Sequence, residues 1–184
     1  MTDMTDFASL VKERHSCRRF EKGKPIPREA LDACLSLARL SPSACNSQPW
    51  RFLVVDTPDG IAALAPSVQD RSMNTFASDA AALIAVLEEP AHLLPKLFDT
   101  DTPNQSFAQI DIGIAVAHLT LALAERGIGT CIMGWINQPR AHEALALPES
   151  VPIRLVIAAG YPSAEDRPRE KRRKSLDEVR IYPE

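Results

Sequence analysis

Residues 104–126 read NQSFAQIDIGIAVAHLTLALAER, the longest stretch of the chain with helical spacing of apolar residues. Ile110, Ile114, Ala117, Leu121 and Ala124 recur at intervals of three and four, and Ile112, Ala115, Val116, Leu119 and Leu123 fill the remaining sides. A helix that is apolar nearly all round has no face to offer water, so it is expected at the centre of the fold or shared with a second subunit. Gly127 follows where a C′ glycine ends a helix.

Short elements surround this helix. After it, residues 130–135 read as extended and buried, 138–147 as a short helix, and 153–159 (IRLVIAA) as a core strand closed by Gly160-Tyr161-Pro162. Before it, Phe7, Leu10, Val11 and Arg14 are spaced as one helical face, and 15–24 reads as a polar, basic loop. Pro27 suits the first turn of a second helix, with Ala30, Leu31, Cys34, Leu35, Leu37 and Ala38 on its buried face, ending before Pro42. Residues 51–56 (RFLVVD) form a strand, punctuated by Thr57-Pro58-Asp59-Gly60 before a short helix. The run 80–87 reads as a strand because it is short and bounded by Pro90, and 88–107 reads as a loop or lid. Helices interleave with a few strands without a βαβ rhythm, which predicts an α+β fold.

At 184 residues the chain is expected to form one domain, 1–184. With 45% hydrophobic and 24% charged residues it is not a disordered chain. A net charge of −3 gives nucleic acid and anionic lipid no general attraction. The longest unbroken apolar run has eight residues against the roughly 20 a membrane span needs, and residues 1–6 are acidic without an apolar signal, so the cytoplasm is the expected compartment. The four cysteines have no C-x-x-C spacing and no histidine at ligand spacing, so no metal site is expected. Fifteen prolines, many at element boundaries, fit many short, sharply bounded elements.

Four segments carry groups suited to chemistry. In Arg14-His15-Ser16-Cys17-Arg18-Arg19, alternate residues of an extended chain point the same way, so Arg14, Ser16 and Arg18 would present two guanidinium forks and a hydroxyl to a phosphate. From spacing alone a solvated basic loop is the blander reading. Residues 167–174 hold six basic residues against one acid, a pattern usual for a solvated tail. The loop SPSACNSQPW (41–50) is rich in hydrogen-bonding groups; Asn46 and Gln48 carry both donor and acceptor, which suits a heterocycle edge. GIGTCIMG (127–134) is neither a dinucleotide fingerprint nor a P-loop. The histidines are scattered and form no triad; His118 reads as a satisfied core histidine. No residue is assigned as acid, base or nucleophile.

Together these segments resemble the flavin-dependent nitroreductase family, from about Phe7 to Pro183. The pieces are RHSCRRF, SPSACNSQPW, QIDIGIA, GIGTCIMGW, RLVIAAGYP and KRRKSLDEV, in order and at family spacing. The resemblance implies a central, mainly antiparallel sheet flanked by helices, and a homodimer with the long helix at its interface. It implies FMN in pockets built by both subunits, with NADH or NADPH as reductant.

Carried over by position, Arg14, His15, Ser16 and Arg18 fall on the early phosphate-binding segment, and Lys171 and Arg173 on the late basic pair. Pro42, Ser43 and Ala44 fall on the loop against the flavin ring and Asn46 on the amide at its polar edge, with Gln48, close by in the same loop, also expected to bind the cofactor. Ile132, Met133 and Gly134 fall on the segment facing the ring's other side, with a backbone N–H directed at N5. The implied activity is ping-pong hydride transfer from NAD(P)H through N5 to an electron-poor small molecule: a nitroaromatic, quinone or enone. Alternatives within the fold are reductive dehalogenation and flavin consumption; outside enzymes, a non-catalytic flavin-binding sensor. The tail 167–184 is expected to serve the phosphate site or the partner subunit.

Overall fold

The computed structural model describes residues 6–94 and 105–183, so part of the expected 88–107 loop lies outside the described residues. Helices α1 (Phe7–Glu13) and α2 (Arg28–Ala38) precede strand β1 (Trp50–Val55) and helix α3 (Pro58–Leu64). Strand β2 (Ala82–Glu88) leads on to the long helix α4 (Gln105–Glu125). Then come β3 (Gly129–Met133), α5 (Gln138–Leu145), β4 (Ile153–Gly160) and a one-turn α6 (Leu176–Val179). The strands form one sheet in the order β1-β2-β4-β3, each pair antiparallel.

Every residue of β2 is buried, which is why Ala82–Leu87 is an unbroken apolar run and not an alternation. The two-residue period of a strand divides it between two cores. Ile84 and Val86 face Leu31 and Ala38 of α2 and Ala115, Leu119 and Leu123 of α4, with Ile157 of β4 beside them. Leu83, Ala85 and Leu87 face Ile61 and Leu64 of α3 and Ala141 of α5. Each such buried aliphatic side chain contributes about 1.5–3 kcal/mol relative to exposure.

The local signals largely act as expected. Thr57 caps α3, its hydroxyl accepting from the Gly60 N–H, and Asn137 caps α5. Gly127 has φ +71°, and the Ile128 and Gly127 N–H groups return to Leu123 and Ala124, satisfying carbonyls that α4 leaves open. Pro27 stands one position earlier than expected, as the N-cap of α2. Ser175 and Glu178 form a reciprocal capping box that makes the one-turn α6 just beyond the basic run 167–174. Buried Glu88 pairs with Arg154 and accepts from Gln105, joining β2, β4 and the start of α4.

By length and composition α4 is apolar enough to cross a membrane, but half of its apolar stretch is buried in the protein, as in a core helix. Its other side is exposed and also largely apolar. Ile110, Gly113, Ala117 and His118 stand outward, with Ile114 and Leu121 half-buried beside them.

Candidate functional site

The segment after α1 runs along the free edge of β3. The Cys17 N–H donates to the Thr130 carbonyl at 2.9 Å, and Ser16 bridges Thr130 in parallel. This extended course produces the alternation expected from the sequence: Cys17 is buried, while Ser16 and Arg18 face outward. Gly129 allows the close approach, since a Cβ there would fall 2.7 Å from the Cys17 Cβ and 2.9 Å from Pro162. Burial pushes the Cys17 thiol up to about 12. Arg18 donates to the Ser16 carbonyl at 3.1 Å.

The tail closes over this segment. Lys171 donates to the carbonyls of Val11, at 3.0 Å, and Lys12, capping the end of α1. Desolvation and then the charges of Arg14 and Arg173 hold the Lys171 ammonium below its ordinary pKa. Three cations from opposite ends of the chain thus share one neighbourhood, where an anion would relieve their repulsion. Arg14 also lines a cleft of about 190 Å³ with Gly129, Thr130 and Pro162.

His15 is placed differently from a ligand-binding residue. Its Nε2 lies 2.6 Å from Asp166 Oδ2, and its Nδ1 lies 3.1 Å from the Glu13 carbonyl. Both partners are acceptors, so the two bonds made together require a proton on each ring nitrogen. The imidazole braces the segment after α1 against the tail and leaves no ring nitrogen for a ligand. Burial acts most strongly on Asp166, in the raising direction. The hydrogen bonds from His15 and the Arg18 N–H, the His15 charge and the Cys17 thiol together still hold its carboxyl below the usual range.

A second assembly lies ahead of β1. Residues 44–46 make a tight turn in which Cys45 and Asn46 have φ of 52° and 54°, and Gln48 follows with 49°. Left-handed backbone at a non-glycine residue costs about 1–2 kcal/mol. Surrounding bonds hold it there. The Ala44 N–H donates to buried Asp111 at 3.1 Å, the Gln48 N–H to the Ser43 hydroxyl at 2.9 Å, and the His92 N–H to the Ser47 hydroxyl at 2.7 Å. The Ser41 hydroxyl is hydrogen-bonded to His118 Nδ1. His118 is therefore satisfied, as expected, but on the exposed side of α4 and not in the core. Pro42, Cys45, Asn46 and Gln48 are exposed, and Ser43 and Ala44 half-buried.

At the end of β3, Ile132 and Gly134 are exposed, while the Met133 side chain is packed in the core beneath the sheet. What Met133 offers a ligand is its backbone.

The structure gathers Arg14, Ser16, Arg18, Lys171 and Arg173 at the start of β3. It does not bring Pro42, Ser43, Ala44, Asn46 and Gln48 to them. β1 and β3 are opposite edges with two strands between, a separation of roughly 14 Å. Trp50 pairs with Glu88, whereas Thr130 pairs with Ala159 and that with Ala82, which adds roughly 20 Å along the strands. The two assemblies occupy opposite corners of the sheet, and α4 runs between them.

Sequence reasoning missed Asp166 and the partner of Asp111. An acid in the apolar run of α4 was a local sign of a buried carboxylate needing a donor; Asp166 had no such sign.

The family model of the Nitroreductase family matches residues 11–161. The chain belongs to the Nitroreductase family. Among curated relatives of this nitroreductase-family chain, an oxygen-insensitive NADPH nitroreductase of Helicobacter acinonychis is 31% identical over 183 residues, covering 82% of this chain and 85% of the relative. An iodotyrosine deiodinase of Thermotoga neapolitana is 29% identical over 163 residues, covering 83% and 87%. A solved nitroreductase-like protein in complex with FMN, from Exiguobacterium sibiricum, has the same fold as this family member, with a TM-score of 0.83, 23% identity and coverage of 97% and 98%.

Proposed function

We propose that the protein is an FMN-dependent NAD(P)H oxidoreductase acting as a homodimer in the cytoplasm, with an electron-poor nitroaromatic, quinone or enone as acceptor. The observation that carries this reading is the meeting of Arg14, Lys171 and Arg173 beside the outward-facing Ser16 and Arg18. The FMN phosphate, with a charge of about −1.5 to −2, fits this basic cradle in both charge and donor geometry. Bound there, FMN supplies the relay that takes hydride from NAD(P)H and passes it to the acceptor. Ser43, Ala44, Asn46 and Gln48 would hold the ring and its polar edge, and the backbone of residues 132–134 would direct an N–H to its other side. The protein's contribution is orientation, which holds reacting atoms about 3–3.5 Å apart.

The two corners of one protomer are too far apart to share one FMN. A two-fold partner packed on the exposed apolar side of α4 would bring the Ala44 loop of one protomer to the Arg18 cradle of the other. This reading takes 1–184 as one flavin-binding unit whose tail supplies Lys171 and Arg173. The deiodinase relative supports a second reading, reductive dehalogenation on the same flavin.

The purified protein is expected to be yellow and to bleach when NADH or NADPH is added without air. Arg18→Ala should weaken FMN binding far more than it changes turnover of the flavin-loaded enzyme. A colourless protein that refuses added FMN would overturn the reading. Turnover of an iodinated phenol in place of nitroaromatics, quinones and enones would select the second one.

A further inference from the structure

The cradle segment and the tail come from opposite ends of the chain, and Asp166 joins them. Its Oδ2 lies 2.6 Å from His15 Nε2, and its Oδ1 accepts from the Arg18 backbone N–H at 3.2 Å. Its side chain is only 8% exposed. The other nitrogen of His15 donates to the Glu13 carbonyl, so the imidazole is a strut between the end of α1 and the tail. Further along, Lys171 grips the carbonyls of Val11 and Lys12. The tail is therefore fastened on both sides of Arg14. A carboxylate beside a phosphate cradle has the wrong sign for the ligand, but both oxygens of this one are engaged by protein donors.

We propose that Asp166 is a positioning residue for the phosphate end of the flavin: through His15 and the Arg18 amide it sets Arg14 and Arg18 at a fixed separation from Lys171 and Arg173. This rests on the flavin reading above. It goes beyond it in making phosphate recognition, and not ring recognition, depend on a residue that never touches the ligand.

Riboflavin has the ring and the ribityl chain but no phosphate, so it separates the two. The full-length chain and its variants are titrated with FMN and with riboflavin, following quenching of flavin fluorescence. The wild-type chain is expected to prefer FMN. Asp166→Ala should lose at least about tenfold in FMN affinity, the lower end of what removing a partner that orients a metal ligand costs in metal affinity, with riboflavin affinity unchanged. Asp166→Asn keeps an acceptor for the Arg18 N–H without the charge, so it should remain folded and lose less. His15→Gln added to Asp166→Ala should cause no further loss, since the strut is already broken.

Unchanged FMN affinity in Asp166→Ala overturns the proposal. So does an equal loss for both flavins in the two Asp166 variants, which would make the residue a support of the fold alone. Additive losses in the double variant overturn the strut. A wild-type chain that takes up neither flavin overturns the flavin reading itself, an outcome distinct from the others.

Discussion

The buried carboxylate of Asp111, on the long helix α4, accepts the backbone N–H of Ala44 at 3.1 Å and so holds the left-handed turn that precedes β1. Replacing it strands a backbone donor. Asp111→Ala should lower the unfolding free energy by about 1–3 kcal/mol, read from urea denaturation, and should weaken ring binding as the turn relaxes. Asp111→Asn retains an acceptor oxygen and should lose less. Equal losses in the two variants would show that the hydrogen bond is not what Asp111 contributes.

Gly129 tests the approach of the cradle to the sheet. A Cβ there meets Cys17 and Pro162, both attached to backbone that must move. Gly129→Ala should cost about 1–3 kcal/mol, as overpacking does, and FMN affinity should fall as Ser16 and Arg18 are displaced from the β3 edge. Unaltered stability and flavin binding would show that the edge yields freely.

The thiols differ in accessibility. Cys45 is exposed, whereas Cys17, Cys34 and Cys131 are buried. Burial raises the pKa of each buried thiol, that of Cys17 to about 12. At neutral pH a disulfide reagent should modify Cys45 rapidly and the other three only on unfolding. Cys45→Ser should abolish the fast phase.

Two buried or half-buried aspartates set the acid limit. Asp56, bonded to Arg28, and Asp166, braced by His15, both have folded-state pKa values below those of the unfolded chain. Each contributes stability that is present above the unfolded value of about 3.9 and is lost as pH falls through the folded value. Urea midpoints should therefore hold through mildly acidic pH and decline below about pH 4. Asp166→Asn should flatten that decline; an unchanged slope would remove Asp166 from the account.

The outward side of α4 tests the proposed dimer. Nothing lies within 4 Å of a Cβ built on Gly113, so an isolated protomer accommodates a side chain there. Gly113→Arg should leave the protomer folded but shift sedimentation toward monomer and reduce flavin retention. A wild-type chain that sediments as a monomer, with flavin bound, would overturn the shared pocket.

The elements were legible where local chemistry dictates them. Pro90 and its short length marked β2 as a strand, the spacing of Ile110, Ile114 and Ala117 marked α4, and Gly127 marked where it ends. The alternation of Ser16, Cys17 and Arg18 followed from extended backbone alone. What stayed hidden depends on distant partners. His15 fell on the segment that the family resemblance marks for phosphate binding, and only the fold brings Asp166, far along the chain, to its ring. The left-handed turn at Cys45 and Asn46 has no glycine to announce it, because Asp111 and the Ser43 hydroxyl, not backbone freedom, hold it.

The corner-to-corner placement of the cradle and the turn has a genetic consequence. Under the shared-pocket reading, each pocket takes its cradle from one polypeptide and its turn from the other. Where flavin is scarce, a variant whose Arg18 corner no longer holds flavin and a variant whose Asp111 corner no longer holds it should each fail alone. Co-expressed, they assemble mixed pairs in which one pocket inherits both injuries and the other inherits neither. Two null alleles of this single gene would then complement each other, whereas two alleles damaged in the same corner would not.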